Sequence, residues 1–252
     1  MRQRLLSLAS AVAAALIATA LYADPSYAAD PTGRYPVDGV DVASWQHPNG
    51  APINWAQVRA GGVNFATVKA TEGVGYTNPY FRGDFSGARA QGLPVAPYHF
   101  YLGRNPNTGA AQADYFIATL RAAGYTGRRA GELPPILDFE WDWKGGCPPY
   151  GSVADAKAWL DRVRRAFGRT PIIYTNRYFI TGCMGGTTAL GSYPLQIADY
   201  SSTSQPNLPP GWTQWLMWQF TSRGCVSGIA TCNLTRSVYN GSLTDLRRYA
   251  NR

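Results

Sequence analysis

The sequence has few residues that could bind a metal and few segments that could cross a membrane. It contains 2 histidines, His47 and His99, and its 4 cysteines show no C-x-x-C spacing, which disfavours a zinc site. After residue 21 no apolar run is long enough to span a bilayer. No glycine-rich phosphate loop follows the first predicted strand, which argues against an open nucleotide-binding sheet. The sequence therefore predicts no metal and no cofactor.

The first 29 residues are typical of a secretory signal peptide. Arg2 and Arg4 precede an uncharged run over residues 5–21, and small residues follow over 26–29. A transmembrane anchor is the alternative, although the run is at the short end for spanning. We expect residues 1–29 to be removed, leaving one secreted, extracellular domain over 30–252. That length is sufficient for one large barrel or sandwich core.

The four cysteines suit an oxidising compartment, where disulfides form and persist. Cys225 and Cys232 are close in sequence and are expected to close a small loop, which leaves Cys147 to pair with Cys183. Three pairings are formally possible from four cysteines. Two disulfides are therefore the expectation.

The net charge favours polyanionic partners. It is +8 for the whole sequence and +7 without Arg2, Arg4 and Asp24. A basic secreted protein is attracted to nucleic acids or to the phosphate polymers of a bacterial wall, and charge alone does not choose between them. The basic residues are scattered, and their densest group, residues 162–165, falls on a predicted helix.

Strands and helices alternate along the first two thirds of the chain, which predicts parallel strands with right-handed crossovers. Three later strands have no helical pattern between them. The sequence thus predicts an α/β barrel of eight strands with helices over the first part only, and an open doubly wound sheet is the alternative. The predicted strands are 37–43, 63–70, 93–101, 136–140, 171–175, 194–200, 215–221 and 237–240, and the predicted helices are 55–60, 80–91, 109–123 and 152–168.

Asp138 and Glu140 are the first candidates for chemistry. Side chains two apart in a strand share a face, with alpha carbons about 7 Å apart, while Phe139 faces the other way. Two carboxylates this close raise the proton affinity of one of them, which suits general acid catalysis.

Several polar and aromatic residues fall near the carboxyl ends of predicted strands, where parallel barrels collect their reacting groups. Acids and aromatics around one mouth are typical of a carbohydrate cleft, because sugar rings stack on Trp and Tyr. Trp141 and Trp143 flank the acidic pair in a predicted loop. The residues near strand ends are Asp41, Tyr98, Asp138, Glu140, Tyr174, Asp199 and Trp218. The residues expected to bind substrate are Tyr98, Trp141, Tyr174, Asp199 and Trp218.

Six segments in this order resemble glycoside hydrolase family 25, the lysozymes of the Chalaropsis type, over nearly the whole chain after residue 29. The resemblance implies an irregular TIM-like (β/α)5β3 barrel. It also implies hydrolysis of the β-1,4 bond between N-acetylmuramic acid and N-acetylglucosamine in peptidoglycan. The matching segments are GVDVASWQ at 39–46, VKATEG at 68–73, PYHFY at 97–101, LDFE at 137–140, LQIADY at 195–200 and WQF at 218–220.

The resemblance also implies residue roles. Glu140 is expected to protonate the leaving oxygen and then to activate water, with Asp138 ionised beside it. Asp138 is either a direct nucleophile or the partner of the substrate's own 2-acetamido group, and the resemblance favours the second. Asp41 is expected to tune proton affinities or to hold a sugar, and Tyr98 to bind near the reacting sugar. His99 faces the opposite way and is interpreted as a core histidine.

One position departs from the family pattern. Members usually carry an acid shortly before the last strand, and Thr235 stands there in this sequence. Asn233 or Asp199 is a possible substitute in space, or the site has one acid fewer. The departure bears on the charge balance of the cleft.

The leading hypothesis is a secreted muramidase whose partner is cell-wall peptidoglycan, with no nucleic acid, membrane or protein partner predicted. A wall-binding barrel without turnover is the second hypothesis, prompted by Thr235. A chitinase is the third, but the residues before Asp138 do not match the D-x-x-D-x-D-x-E run of those enzymes.

Overall fold

The structure is a computed structural model that describes residues 30–103, 108–142, 145–202 and 204–252. The expected signal peptide and Trp143 lie outside the described residues. Within the described ranges, no helix is both long enough and apolar enough to cross a membrane.

Eight strands form a closed barrel, because β1 pairs in parallel with β2 on one side and antiparallel with β9 on the other. β3 is an additional short strand that pairs antiparallel with the end of β2. The predicted irregular (β/α)5β3 barrel is confirmed. The strands are β1 (Asp38–Val42), β2 (Phe65–Glu72), β3 (Tyr76–Thr77), β4 (Val95–Phe100), β5 (Ile136–Asp138), β6 (Ile172–Thr175), β7 (Leu195–Ala198), β8 (Met217–Gly224) and β9 (Leu234–Tyr239).

With the exception of Phe81–Ala90, the helices begin at side-chain caps that satisfy free backbone N–H groups. Ser152 Oγ accepts from the backbone N–H of Asp155 at 3.0 Å, and Gly168 ends the same helix with a left-handed φ of 70°. The helices are α1 (Trp55–Ala60), α2 (Phe81–Ala90), α3 (Gly109–Ala122), α4 (Val153–Phe167), α5 (Arg177–Gly182) and α6 (Leu243–Ala250).

Most strand boundaries differ from the predictions by one to three residues, and two of these differences concern site residues. β5 ends at Asp138 rather than Glu140, yet the chain stays extended because the Phe139 N–H donates to the Tyr174 carbonyl at 2.9 Å. The last strand starts at Leu234, three residues before the predicted start, and runs antiparallel to both neighbours. Thr235 therefore lies within this strand and not before it.

Strand alternation divides the core into two regions. Residues such as Val40, Leu137 and Phe139 face outward and pack against the helices. Inward-facing residues in the lower half of the barrel are apolar, and α6 closes this base with Leu246 and Ala250. Inward-facing residues in the upper half are polar and form the site described next.

Candidate active site

A polar pocket of 270 Å³ opens at the carboxyl ends of the parallel strands. Below it lie the buried apolar side chains of the base, so the pocket is closed at the bottom and open only at the mouth. We call it the acid pocket. It is lined by Asp41, Thr67, Tyr98, Ile136, Asp138, Glu140, Tyr174, Gln196, Tyr200, Gln219 and Thr235.

Asp138 and Glu140 both line this pocket, while Phe139 between them is fully buried against Tyr101 and Phe179. The two carboxyl groups are close enough for each to change the pKa of the other. Burial raises the pKa of Glu140 to about 7, and burial together with the Glu140 charge raises the pKa of Asp138 well above its usual range. At neutral pH the pair therefore holds a proton that an exposed carboxyl would have lost.

Lys69 is the cation that acts on this acidic pair. Its Nζ forms an ion pair with Glu72 and lies 4.9 Å from the centroid of the Phe100 ring. Its positive charge lowers the pKa of both Asp138 and Glu140, in opposition to burial. Lys69 thus limits how strongly the pair holds its proton.

Asp41 is more deeply buried than the pair and has many donors. Its carboxylate accepts from Thr67 Oγ1, from Gln196 Nε2 at 3.2 Å, from Gln219 Nε2 at 3.0 Å and from Ser237 Oγ at 2.9 Å. These bonds lower its pKa while burial raises it, with a net upward direction. These four donors hold the Asp41 carboxyl group in one orientation in the lining of the acid pocket.

Gln219 connects Asp41 to two tyrosines. Because its Nε2 donates to Asp41, its Oε1 is left to accept the Tyr174 hydroxyl at 2.9 Å and the Tyr200 hydroxyl. The carboxylates nearby and burial raise the pKa of Tyr98 and Tyr174 well above the usual range, so both hydroxyls keep their protons. The pocket therefore presents neutral phenols beside its acids.

Sequence reasoning missed the polar residues that surround Asp41. Thr67, Gln196, Gln219 and Ser237 occur inside strands that otherwise bury apolar side chains. Strand pairing places them on the inward face with Asp41, since Thr67 pairs with Asp41, Ser237 pairs with Gln219, and Gln196 pairs with Met217, two residues before Gln219. The sequence signal for these partners of Asp41 was therefore the presence of polar residues at inward-facing positions of the strands.

In the described part of the chain, no acid takes the place of the one expected at Thr235. Thr235 lines the acid pocket and donates its hydroxyl to the Asp41 carbonyl at 3.3 Å. Asn233 is exposed and accepts, through its carbonyl, from Gln46 Nε2 at 2.7 Å. Asp199 lies outside the pocket lining and accepts from Ser201, Ser202 and Asn207, and these bonds lower its pKa to about 2. Among the described residues, neither Asn233 nor Asp199 therefore adds an acid to the lining of the acid pocket.

A second, more apolar pocket of 530 Å³ adjoins the acid pocket. Glu140, Tyr174 and Tyr200 line both, so Glu140 lies at their boundary. Trp141 and Asp199 line the second pocket, together with Tyr178, which is 71% exposed. We call this the aromatic pocket.

The structure decides the predictions made for Trp218 and His99. Trp218 is fully buried, and its indole N–H donates to the Asp199 carbonyl at 2.7 Å, so the prediction that it binds substrate is wrong. It is adjacent to the inward-facing Gln219 and therefore points to the outer layer, where it packs edge-on against Trp215. His99 is fully buried between Thr71 and Gln112, which confirms its interpretation as a core histidine.

Both expected disulfides are present, Cys147–Cys183 and Cys225–Cys232. The first joins the loop after β5 to the end of α5, and these two segments carry Trp141 and Tyr178 of the aromatic pocket. Within the described residues, no group of three or more His, Cys, Asp and Glu side chains is placed to hold a metal ion.

Comparison with known proteins decides the family. A profile of glycosyl hydrolases family 25 matches residues 40–229. The chain belongs to this family. It is 32% identical to lysozyme M1 of Streptomyces globisporus, over 85% of this chain and 71% of that protein, and 33% identical to the N,O-diacetylmuramidase of Chalaropsis sp, over 85% and 99%. A bacterial lysozyme from Streptomyces coelicolor superposes with a TM-score of 0.76 at 31% identity, over 85% of this chain and 97% of that one. As a member of family 25, this protein is a glycoside hydrolase of the lysozyme type.

Proposed function

We propose that this protein is a secreted N-acetylmuramidase that hydrolyses the β-1,4 bond between N-acetylmuramic acid and N-acetylglucosamine in peptidoglycan. The observation that carries the proposal is the half-buried Asp138–Glu140 pair in the acid pocket, with Glu140 at the boundary to the aromatic pocket. A glycosidase needs a protonated carboxyl at the bond being cut, with a sugar on either side. The relatives named lysozyme and N,O-diacetylmuramidase support this choice of bond.

Glu140 is the general acid in this proposal. Its pKa of about 7 leaves a substantial protonated fraction at neutral pH. The sugar whose anomeric carbon reacts occupies the acid pocket, and the leaving sugar occupies the aromatic pocket beyond Glu140. Glu140 gives its proton to the glycosidic oxygen as that bond breaks and later takes a proton from the attacking water.

Asp138 assists the substrate's own 2-acetamido group. Its Oδ1 is buried and has no hydrogen-bond partner among the described residues, so it is available to an N–H donor from the sugar. Such a donor favours the ionised form of Asp138 and leaves the shared proton on Glu140. The acetamido oxygen then attacks the anomeric carbon, and water opens the cyclic intermediate. Direct attack by Asp138 is the other route compatible with the spacing.

The remaining site residues hold the sugars. Asp41 sets the electrostatic field of the acid pocket, and Tyr98 and Tyr174 offer hydroxyl groups to the reacting sugar. Trp141 provides an aromatic face for the leaving sugar, and Asp199 holds the loop that completes the aromatic pocket through its bonds to Ser202 and Asn207.

The proposal includes export and maturation. Residues 1–29 act as a signal peptide, and residues 30–252 form the extracellular catalytic domain that acts on bacterial wall. The two disulfides support an oxidising destination for the described part of the chain.

Glu140→Gln tests the proposal, because the amide keeps the size of the side chain but cannot supply the proton. We expect clearing of a bacterial wall suspension to fall by about 10²- to 10⁴-fold, the usual contribution of a general acid. Asp114→Asn is the matched control, since Asp114 forms an ion pair with Arg162 on the outer helices and should leave clearing unchanged. Clearing by Glu140→Gln at the rate of the parent would refute the assignment, and absence of clearing by the parent itself would favour a binding barrel.

A further inference from the structure

Exposed apolar side chains are concentrated on two sides of the barrel mouth. Tyr178 and Tyr200 are exposed at the aromatic pocket, and a second group follows β1 and β2, consisting of Trp45, Val74 and Tyr76. We call this second group the β1–β2 ridge. Trp45 is 81% exposed, which is rare for the largest apolar side chain. Within the described residues the large hydrophobic side chains with high exposure are Trp45, Val74, Tyr76, Tyr150, Tyr178 and Tyr200.

The backbone under the ridge is firmly held. Trp45 lies in a 3₁₀ turn over Ser44–Gln46, and the buried Gln46 accepts from the Ala43 N–H at 2.8 Å and donates to the Asn233 carbonyl at 2.7 Å. The Tyr76 hydroxyl donates to Ser44 Oγ at 3.3 Å, which joins the two loops. The ridge therefore has a well-held backbone, and the turn that carries Trp45 leaves its indole ring exposed to solvent.

Lys69 lies between the ridge and the acidic pair of the acid pocket. Lys69 Nζ lies 5.7 Å from the centroid of the Tyr76 ring, and the same ammonium group acts electrostatically on Asp138 and Glu140. β1 carries Asp41 into the pocket, and the turn with Trp45 follows directly after β1.

The barrel order places the ridge opposite the aromatic pocket. The eight strands follow one another around the barrel as β1, β2, β4, β5, β6, β7, β8 and β9. The ridge follows β1 and β2, and the aromatic pocket is formed after β5, β6 and β7, half a turn away. The acid pocket thus lies between two exposed aromatic surfaces on one line across the mouth.

We propose that the β1–β2 ridge is a binding site for the glycan strand on the non-reducing side of the bond that is cut. Trp45 and Tyr76 stack against the apolar faces of sugars beyond the one in the acid pocket. This inference rests on the proposed function, which assigns the leaving sugar to the aromatic pocket. The ridge would make the enzyme prefer long strands over short fragments.

Binding to peptide-free glycan strands tests the ridge without turnover. In a Glu140→Gln background, Trp45→Ala and Tyr76→Ala should each weaken the affinity for strands of about six or more sugars by about tenfold. Affinity for a disaccharide should not change, because it fills only the pockets around Glu140. Tyr150→Ala is the matched control, since Tyr150 is 60% exposed and lines neither pocket.

Equal affinity of the parent and both ridge variants for long strands would overturn the inference, as would the same loss for the disaccharide. Both ridge side chains are exposed, so thermal unfolding should be unchanged and would show that the variants fold. The result is also distinct from failure of the proposed function, because that failure appears as undiminished cleavage by Glu140→Gln.

Discussion

The carboxyl groups of Asp41, Asp138 and Glu140 line one pocket, and their surroundings differ. Asp41 accepts from four side-chain donors, whereas Asp138 keeps an oxygen without a partner in the described part of the chain. Donors stabilise a carboxylate, and burial without donors stabilises the neutral acid. Asp41 is thus suited to remain fixed, and the Asp138–Glu140 pair is suited to exchange a proton.

Lys69→Gln should move the alkaline limb of the activity profile to higher pH. The Lys69 charge lowers the pKa of Glu140, so its loss raises that pKa above about 7 and keeps the acid protonated further into the alkaline range. The profile of kcat/KM against pH measures this, with Lys69→Arg as the control that keeps the charge. An alkaline limb that stays in place or moves to lower pH would contradict the role given to Lys69.

The acidic pair could be predicted from sequence because strand alternation holds from Ile136 to Glu140 even though the strand ends at Asp138. The amide partners of Asp41 could not, since glutamine carries no catalytic signal and only the closed barrel brings Gln196 and Gln219 to β1. Trp218 was misjudged because closeness to a strand end was considered without the face it occupies.

Among the elements, those with strong periodicity matched their predictions. α4 combines a serine cap, an apolar stripe and a terminal glycine, and all three signals agree. β3, α5 and α6 were not predicted, and the two residues of β3 are too few to show a period. α5 is also rich in aromatic and β-branched residues, which weakens a helix pattern, and α6 gains its stability from covering the barrel base.

The two disulfides should differ in their effect on both stability and substrate binding. Cys147–Cys183 spans a separation of 36 residues and Cys225–Cys232 one of 7. The chain entropy that each removes from the unfolded state should stabilise the fold by about 4 and about 2 kcal/mol, respectively. Replacing both cysteines of the first pair by serine should lower the midpoint of thermal unfolding more. It should also raise KM on wall substrate, since this bond holds the loops of the aromatic pocket.

The Cys225→Ser and Cys232→Ser double variant is the control, and its KM should match the parent. An equal increase in KM for both pairs would mean that the effect reflects general loosening of the fold and not the aromatic pocket.

At the scale of the whole molecule, charge is unevenly distributed along the barrel axis. Acids line the pockets at the mouth, among them Asp41, Asp138, Glu140 and Asp199. Arginines occur in the last turns of most helices, which favour cations at their carboxyl ends, and α6 adds two more at the base. The sequence showed an excess of positive charge but could not show this polarity, which follows from the direction of the helices.

Salt should weaken action on intact wall more than action on small substrates. The excess of positive charge attracts the protein to polyanionic wall, and about 1 M salt reduces the screening length to about 3 Å. Release of soluble sugars from intact walls should therefore fall as sodium chloride rises, while hydrolysis of short neutral glycan fragments stays nearly constant. A parallel decline on both substrates would show that salt acts on the site itself.

The central claim is the identity of the bond that Glu140 helps to cut. Mass analysis of fragments released from purified peptidoglycan, after reduction of the new sugar ends with borohydride, measures it directly. The account predicts reduced muramic acid at the new ends, formed by the parent protein and not by Glu140→Gln. Reduced glucosamine ends, or new amino groups without any new sugar end, would contradict it.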